Sequence, residues 1–258
     1  MKPMSTCQDS EIRKDQTVGD LVLLHPRLRA RLEQLGIDYC CGGKQPLMKA
    51  AQAAGLEWPT ILAALRAELR KGADAADTDW SAASLTTLAD HILEKHHTFM
   101  REQLPRLDTL LAKVQRAHGA KHGDMLAGLR CVFDAFRLEI EPHLLKEEQV
   151  IFPAIKGIEA FMAGTGPQPV VPCGNIAQPI RQLEREHEHA GDALTEMRRL
   201  TDGYQLPADA CQSFAALYEG LKAMEADLHE HVHLENNILF PKSVKMEGAM
   251  TVENEKTT

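Results

Sequence analysis

From Ser81 onward the apolar residues step by alternating threes and fours, the pattern of helices that press one stripe against their neighbours. Four such segments follow one another. The first carries Leu93, Met100, Leu104, Leu107, Leu111 and Val114, with His97 in the same row. The second carries Leu126, Leu129, Phe133, Phe136, Ile140 and Val150, with His143 and Glu147. After a Gly/Pro-rich loop at about 164–178, the third carries Ile180, Leu183, Ala190, Leu194 and Met197 around His187. Beyond a break at 203–207, the fourth carries Phe214, Leu217, Leu221, Met224, Leu228 and Ile238 around His231 and Glu235. Four long helices with short or moderate connections predict an all-α fold, an up-down-up-down four-helix bundle over 81–246. Pro105 and Pro142 fall inside these segments and are expected to kink them.

Upstream, Thr17 and Asp20 approximate a capping box, and a helix is expected from there through Leu21, Leu24, Leu28 and Leu32 to Gly36. The run Asp38-Tyr39-Cys40-Cys41-Gly42-Gly43 reads as a flexible, exposed turn by its glycines. Two short helices follow near 46–54 and 59–71. The expectation is a small helical domain at 16–71, an acidic linker at 72–80, and flexible tails at 1–15 and 247–258.

The second and fourth segments share a local repeat. His143-Leu144-Leu145-Lys146-Glu147 and His231-Val232-His233-Leu234-Glu235 each run on, after four intervening residues, into Phe-Pro, at Phe152-Pro153 and Phe240-Pro241. His and Glu four apart on a helix lie on one face, one turn above each other. The interval from His97 to His143 (46) nearly equals that from His187 to His231 (44), so the domain reads as two similar helical hairpins. Packed about a pseudo-two-fold axis, they would bring His97, His143, Glu147, His187, His231 and Glu235 to one level of the core.

A lone histidine on an apolar stripe is ordinarily a hydrogen-bonded core residue. Six polar residues at matching places are another matter. Large apolar side chains there would each gain roughly 1.5–3 kcal/mol of burial, a total of order 10 kcal/mol and comparable to a domain's stability. Buried carboxylates without a cation are costlier still. Metal coordination accounts for the pattern. Four imidazoles and two carboxylates without a thiolate suit iron or manganese better than structural zinc. Six ligands match two ions, with His97 and His143 on one, His187 and His231 on the other, and Glu147 and Glu235 bridging. His96 is the strongest competitor by its position. His91, His118, His122, His189, His229 and His233 fall off the stripes and read as solvated, and Glu139 and Glu186 are expected to be solvated neighbours of the ligands.

Composition narrows the rest. A net charge of −8 over 258 residues argues against a general nucleic-acid binder. No run of about 18 apolar residues exists to span a membrane. The N-terminal stretch is polar and unlike a signal peptide. Six cysteines (Cys7, Cys40, Cys41, Cys131, Cys173, Cys211) without CxxC spacing fit a reducing, cytoplasmic setting.

The His-x3-Glu repeats, the Glu186-His187 step and the ending Leu-Glu-Asn-Asn-Ile-Leu-Phe-Pro together resemble hemerythrin-like di-iron domains. With Asp38-Tyr39-Cys40-Cys41-Gly42-Gly43-Lys44-Gln45 upstream, the whole of 16–246 resembles the iron-sulfur cluster repair family of di-iron proteins. That family's metal ligands fall on the six residues named above. Four histidine ligands and a second Glu depart from the oxygen-carrying hemerythrins, which disfavours simple oxygen storage.

The resemblance implies two iron ions per chain with an oxo or hydroxo bridge, in a cytoplasmic stress protein that restores iron-sulfur clusters damaged by nitric oxide or oxidants. Damaged iron-sulfur proteins would be its clients and nitric oxide or oxygen its small ligand. Supply of iron from a labile centre, nitric oxide reduction with turnover, and binding or sensing at the same centre stay open. Cys40 and Cys41 are candidates for handling iron or nitric oxide through exposed, nucleophilic thiols.

Overall fold

The computed structural model describes residues 12–71, 80–171 and 174–257, and the chain forms two compact helical units that divide between residues 79 and 80. The linker expected at 72–80 falls, except for Trp80, outside the described residues, as do residues 1–11 of the expected N-terminal tail.

In the first unit, α1 (Val18–Leu24) starts on Thr17, whose hydroxyl accepts the Asp20 amide at 3.0 Å. The expected continuous helix to Gly36 is interrupted. Pro26 restricts the residue before it, and His25 takes φ −140° and ψ 70° ahead of a 3-10 turn at Pro26–Leu28. Helix α2 (Arg29–Gln34) resumes and ends short of Gly36, which has φ +69°. Helices α3 (Leu47–Ala53) and α4 (Trp58–Arg70) complete the unit around Leu21, Val22, Leu28, Leu32, Leu47, Ile61 and Leu65. Residues 12–15, expected in a tail, belong to this unit. Ile12 is buried, and the Lys14 carbonyl accepts the Met48 amide at 3.1 Å.

In the second unit, α5 (Leu85–His91) passes through a π-helical turn at Ile92–His97 into α6 (Thr98–Lys146). A second π turn, Glu147–Ile151, leads into α7 (Phe152–Met162). Helix α8 (Ala177–Leu200) is regular, and α9 (Gln212–Leu234) passes through a third π turn, Glu235–Leu239, into α10 (Phe240–Thr257). Two of the expected bundle helices are the two halves of α6. The chain reverses at His122, the one residue of α6 with non-helical dihedrals (φ −119°, ψ 21°), and not at either proline. Asp108 on the first half then pairs with Arg130 and Arg137 on the second. The carbonyls that Pro105 and Pro142 deprive of an amide are those of Arg101 and Leu138, both exposed residues that water can serve.

The bundle core is the set of stripe residues read from the sequence, from Met100 and Leu104 through Leu228 and Ile238, except that Val150 is exposed and Ile151 beside it is buried in its place. Leu93 is only half-buried, and Ile92 takes the core position beside it. The tail expected after Met246 is instead helical to Thr257. Buried Glu247 on α10 accepts the Ile176 amide at 2.9 Å, so this helix holds the end of the 164–178 loop.

Helices α6 and α9 approach closely at Gly220, where a Cβ would stand 2.7 Å from Leu107 Cδ2. Gly220→Val should overpack this crossing and destabilise the bundle by about 1–3 kcal/mol. Denaturant unfolding measures the change, and unaltered stability would show that the crossing has slack.

Candidate metal centre

The three π turns mark the site. His97 closes the first, Glu147 opens the second and Glu235 opens the third. One extra residue in a turn re-aims the side chains around it, and such bulges concentrate at functional positions. His143 and His231 lie one turn before Glu147 and Glu235, and His187 comes from the regular helix α8. All six residues are 0–1% exposed.

They converge in two groups, His97, Glu147, His231 and Glu235, and His143, Glu147, His187 and Glu235. The Nε2 atoms of His97 and His231 are 3.3 Å apart, and those of His143 and His187 3.0 Å apart. This corrects the pairing expected from the sequence, which put His97 with His143 and His187 with His231. Each group draws imidazoles from both hairpins.

The carboxylates span the groups. Glu147 reaches His143 Nε2 with Oε1 at 3.3 Å and His97 Nε2 with Oε2 at 3.4 Å. Glu235 reaches His231 with Oε1 at 3.2 Å and His187 with Oε2 at 3.3 Å. All four oxygens are buried without a hydrogen-bond partner among the described residues. Two ionised carboxylates so placed would be destabilising by several kcal/mol each without a cation. Hard oxygens and imidazoles with no thiolate fit a pair of divalent or trivalent iron-class ions. The residues present therefore suit the metal that the fold implies.

The far nitrogens of three rings are held from outside, while His231 Nδ1 is buried without a hydrogen-bond partner among the described residues. His97 Nδ1 donates to Glu148 at 2.7 Å, and Arg101 grips the same carboxylate. His187 Nδ1 donates to Asn236 Oδ1 at 2.9 Å. Glu148 and Asn236 each follow a bridging glutamate, so they occupy one place in the repeat. His143 Nδ1 donates to Glu186 at 2.8 Å, and Lys146 anchors that carboxylate at 2.6 Å.

Glu186 is thus a positioning residue and not the solvated neighbour expected, whereas Glu139 is exposed as expected. In the other half, His96 lies where Glu186 would be. It is fully buried, bonds Asp227 at 2.9 Å, and stacks parallel to His231 at 5.6 Å between ring centroids without joining the ligand groups. His233 is also buried, a correction, and accepts from Asn237 at 3.1 Å. Phe152 and Phe240 lie against His97 and His187 at 5.5 and 6.1 Å, which accounts for the Phe of each repeat.

The Cys40–Cys41 turn differs from expectation. Asp38 accepts the Cys40 and Gly42 amides, each at 2.8 Å, and a Cβ on Gly42 would press that carboxylate at 3.2 Å. The turn is pinned, not flexible. Cys40 is buried, 3.1 Å from Asp38 and 4.0 Å from the Cys41 sulfur. Its contact with Cys41 and its burial push its thiol well above the usual range, the reverse of an activated thiolate. Cys41 is half-buried, and with Asp38 the pair forms a group that could hold a metal ion.

Sequence comparison supplies the relationship. The profile of the hemerythrin HHE cation binding domain matches residues 88–243, and that of ScdA_N, a domain of unknown function, matches 14–69. The iron-sulfur cluster repair protein YtfE of Enterobacter sp. (strain 638) is 38% identical over 232 residues, covering 90% of this chain and 97% of that protein. Those of Citrobacter koseri and Salmonella newport are each 37% identical with the same coverage.

The chain belongs to the iron-sulfur cluster repair family. Its bundle is the family's hemerythrin-like, cation-binding domain. Among the described residues no helix is long and apolar enough to cross a membrane.

Two outcomes test the centre. Asn236→Leu leaves all six ligands but frees His187 Nδ1, and should weaken metal retention about 10–100-fold in chelator competition. Equal retention would deny the orienting bond.

The second concerns protons. In the metal-free chain burial opposes charging His143, but Glu147, Glu186 and Glu235 together outweigh it and the imidazole rises from 6.5 to about 10. A raised group stabilises the fold below its unfolded value, and that contribution fades as pH climbs towards about 10. Metal needs the same nitrogen unprotonated. Loading near neutral pH should therefore release protons into a weakly buffered indicator solution, and retention should fall with pH. Loading without proton release would contradict this.

Proposed function

We propose that this protein restores damaged iron-sulfur clusters by supplying iron from its paired site. One observation carries the reading. A groove of about 420 Å³ between α6 and α8 runs from the surface at Cys131 to the ligand His143, with Glu139 and Glu186 on its walls. Carboxylates beside a buried cation site give a departing hard cation successive oxygen partners. A centre built only to retain its ions would be closed on every side.

When bound, the iron pair supplies exchangeable metal and open coordination positions. The protein's own groups do the rest. Glu147 and Glu235 neutralise charge from both sides, and Glu148, Glu186 and Asn236 fix the imidazoles they touch. Glu186 has two tasks, since it orients His143 and lines the groove. Rotation of its carboxylate away from His143 loosens one ligand and presents an oxygen to the exit. Cys40 and Cys41 act with Asp38 as a separate holding point for iron, and damaged iron-sulfur proteins are the recipients. The setting we infer is cytoplasmic.

Purified protein should carry about two irons per chain and lose them to an iron-depleted cluster enzyme as that enzyme regains activity. Replacing both Cys40 and Cys41 by Ser should slow this transfer while leaving bundle iron in place. Repair at the full rate by that variant would remove the cysteines from the mechanism. Sustained conversion of nitric oxide to nitrous oxide with an electron donor and no iron loss would replace donation by catalysis.

A further inference from the structure

At the end of the bundle away from the paired site, a second group of ligating side chains stands outside the repair chemistry. His118 and His122 lie one turn apart on α6, while Asp209 and Cys211 lie in the segment that enters α9. The ligand atoms of His118, His122 and Asp209 are within 4.8 Å of one another. His122 Nε2 is 3.0 Å from Asp209 Oδ1, and the other carboxylate oxygen accepts from Lys121 at 3.0 Å. Cys211, two residues beyond Asp209, is exposed and lies outside this group, and the neighbouring His118 lowers its thiol to about 7. Phe214, fully buried, lies under both rings at 5.1 and 5.9 Å between centroids and gives the group an apolar floor.

We propose that His118, His122 and Asp209 form a second metal site, for a single zinc ion, on which the Cys211 thiolate closes as the fourth ligand. Two imidazoles, a carboxylate and a thiolate make the four-coordinate nitrogen, oxygen and sulfur set that zinc accepts. The thiol separates this set from the iron pair, whose ligands include none. Distance separates them too, since the 21 residues from His97 to His118 span about 30 Å of helix.

The local fold serves the grouping. His122 is where α6 reverses, so the one backbone departure in that helix falls on a ligand. Asp209 and Cys211 approach across 87 to 93 residues of chain (209 − 122 and 211 − 118). A metal clip closing so long a loop fixes the turn of one hairpin to the start of the other hairpin's last helix. The side chains of His122 and Asp209 are 24% and 35% exposed, which leaves an ion a way in.

The test uses full-length protein with its iron pair loaded. Titration with cobalt(II), a spectroscopic substitute for zinc, should show one saturable cobalt per chain. Four-coordinate ligand-field bands and a sulfur-to-cobalt charge-transfer band should appear, and zinc chloride should displace both. Cys211→Ser should abolish the charge-transfer band. His118→Ala with His122→Ala should abolish cobalt uptake while iron content and helical circular dichroism stay at wild-type levels. His118→Gln with His122→Gln provides the same readout if the alanine pair folds poorly. Absence of saturable cobalt in the wild type, or equal uptake by the histidine variants, would reduce the group to a hydrogen-bond network. A charge-transfer band that survives Cys211→Ser would remove the thiolate.

Discussion

Two glutamates determine what the bundle must be. Glu147 and Glu235 place four carboxylate oxygens in a fully buried layer with imidazole nitrogens at 3.2–3.4 Å and no hydrogen-bond donor of ordinary geometry among the described residues. Charge held that way requires a positive counterpart at the same depth. Protons can serve in the metal-free chain, and this is why burial alone does not set the His143 pKa. A cation serves better, because it answers both carboxylates at once. The surrounding Glu148, Glu186 and Asn236 point the rings inward so that the positive charge has one place to go.

The cross-hairpin sharing of these side chains would give bound cations a structural role as well. His97 and His231 come from different hairpins, as do His143 and His187, and each bridging glutamate serves both groups. Neither hairpin can complete a site alone. Binding energy at the centre is therefore also docking energy between the halves of the bundle. Loss of a bound cation would weaken this layer and loosen the fold around α8 and α9.

Much of this was legible in the residues. The stripes at threes and fours gave the helices, and the six polar interruptions gave the side chains that the structure gathers. The pairing was misread because spacing along the chain favours partners within a hairpin, whereas the bundle sets each helix against one from the other hairpin. Glu186 was misjudged because a single acidic residue beside a ligand carries no signal of direction. Glu148 and Asn236 could have been found, since both directly follow a bridging glutamate in the repeat, but their different chemistry hid the equivalence. The exposed thiol expected at Cys40 is buried, and the turn is held for a local reason. Asp38 folds its carboxylate over the turn and takes up the amides that the glycines were expected to leave mobile.

The π turns at Ile92–His97, Glu147–Ile151 and Glu235–Leu239 carry a final consequence. Each holds one residue more than a regular turn, and a single residue rotates everything beyond it by about 100° around the helix axis. Three of the four bundle helices are thus indexed at the ligand layer. Conservative exchanges can be absorbed there by repacking, but shortening one of these segments by a single residue would turn Phe152 or Phe240, or the arm leading to His97, onto a different face. In this bundle the count of residues is as much a part of the site as their identity.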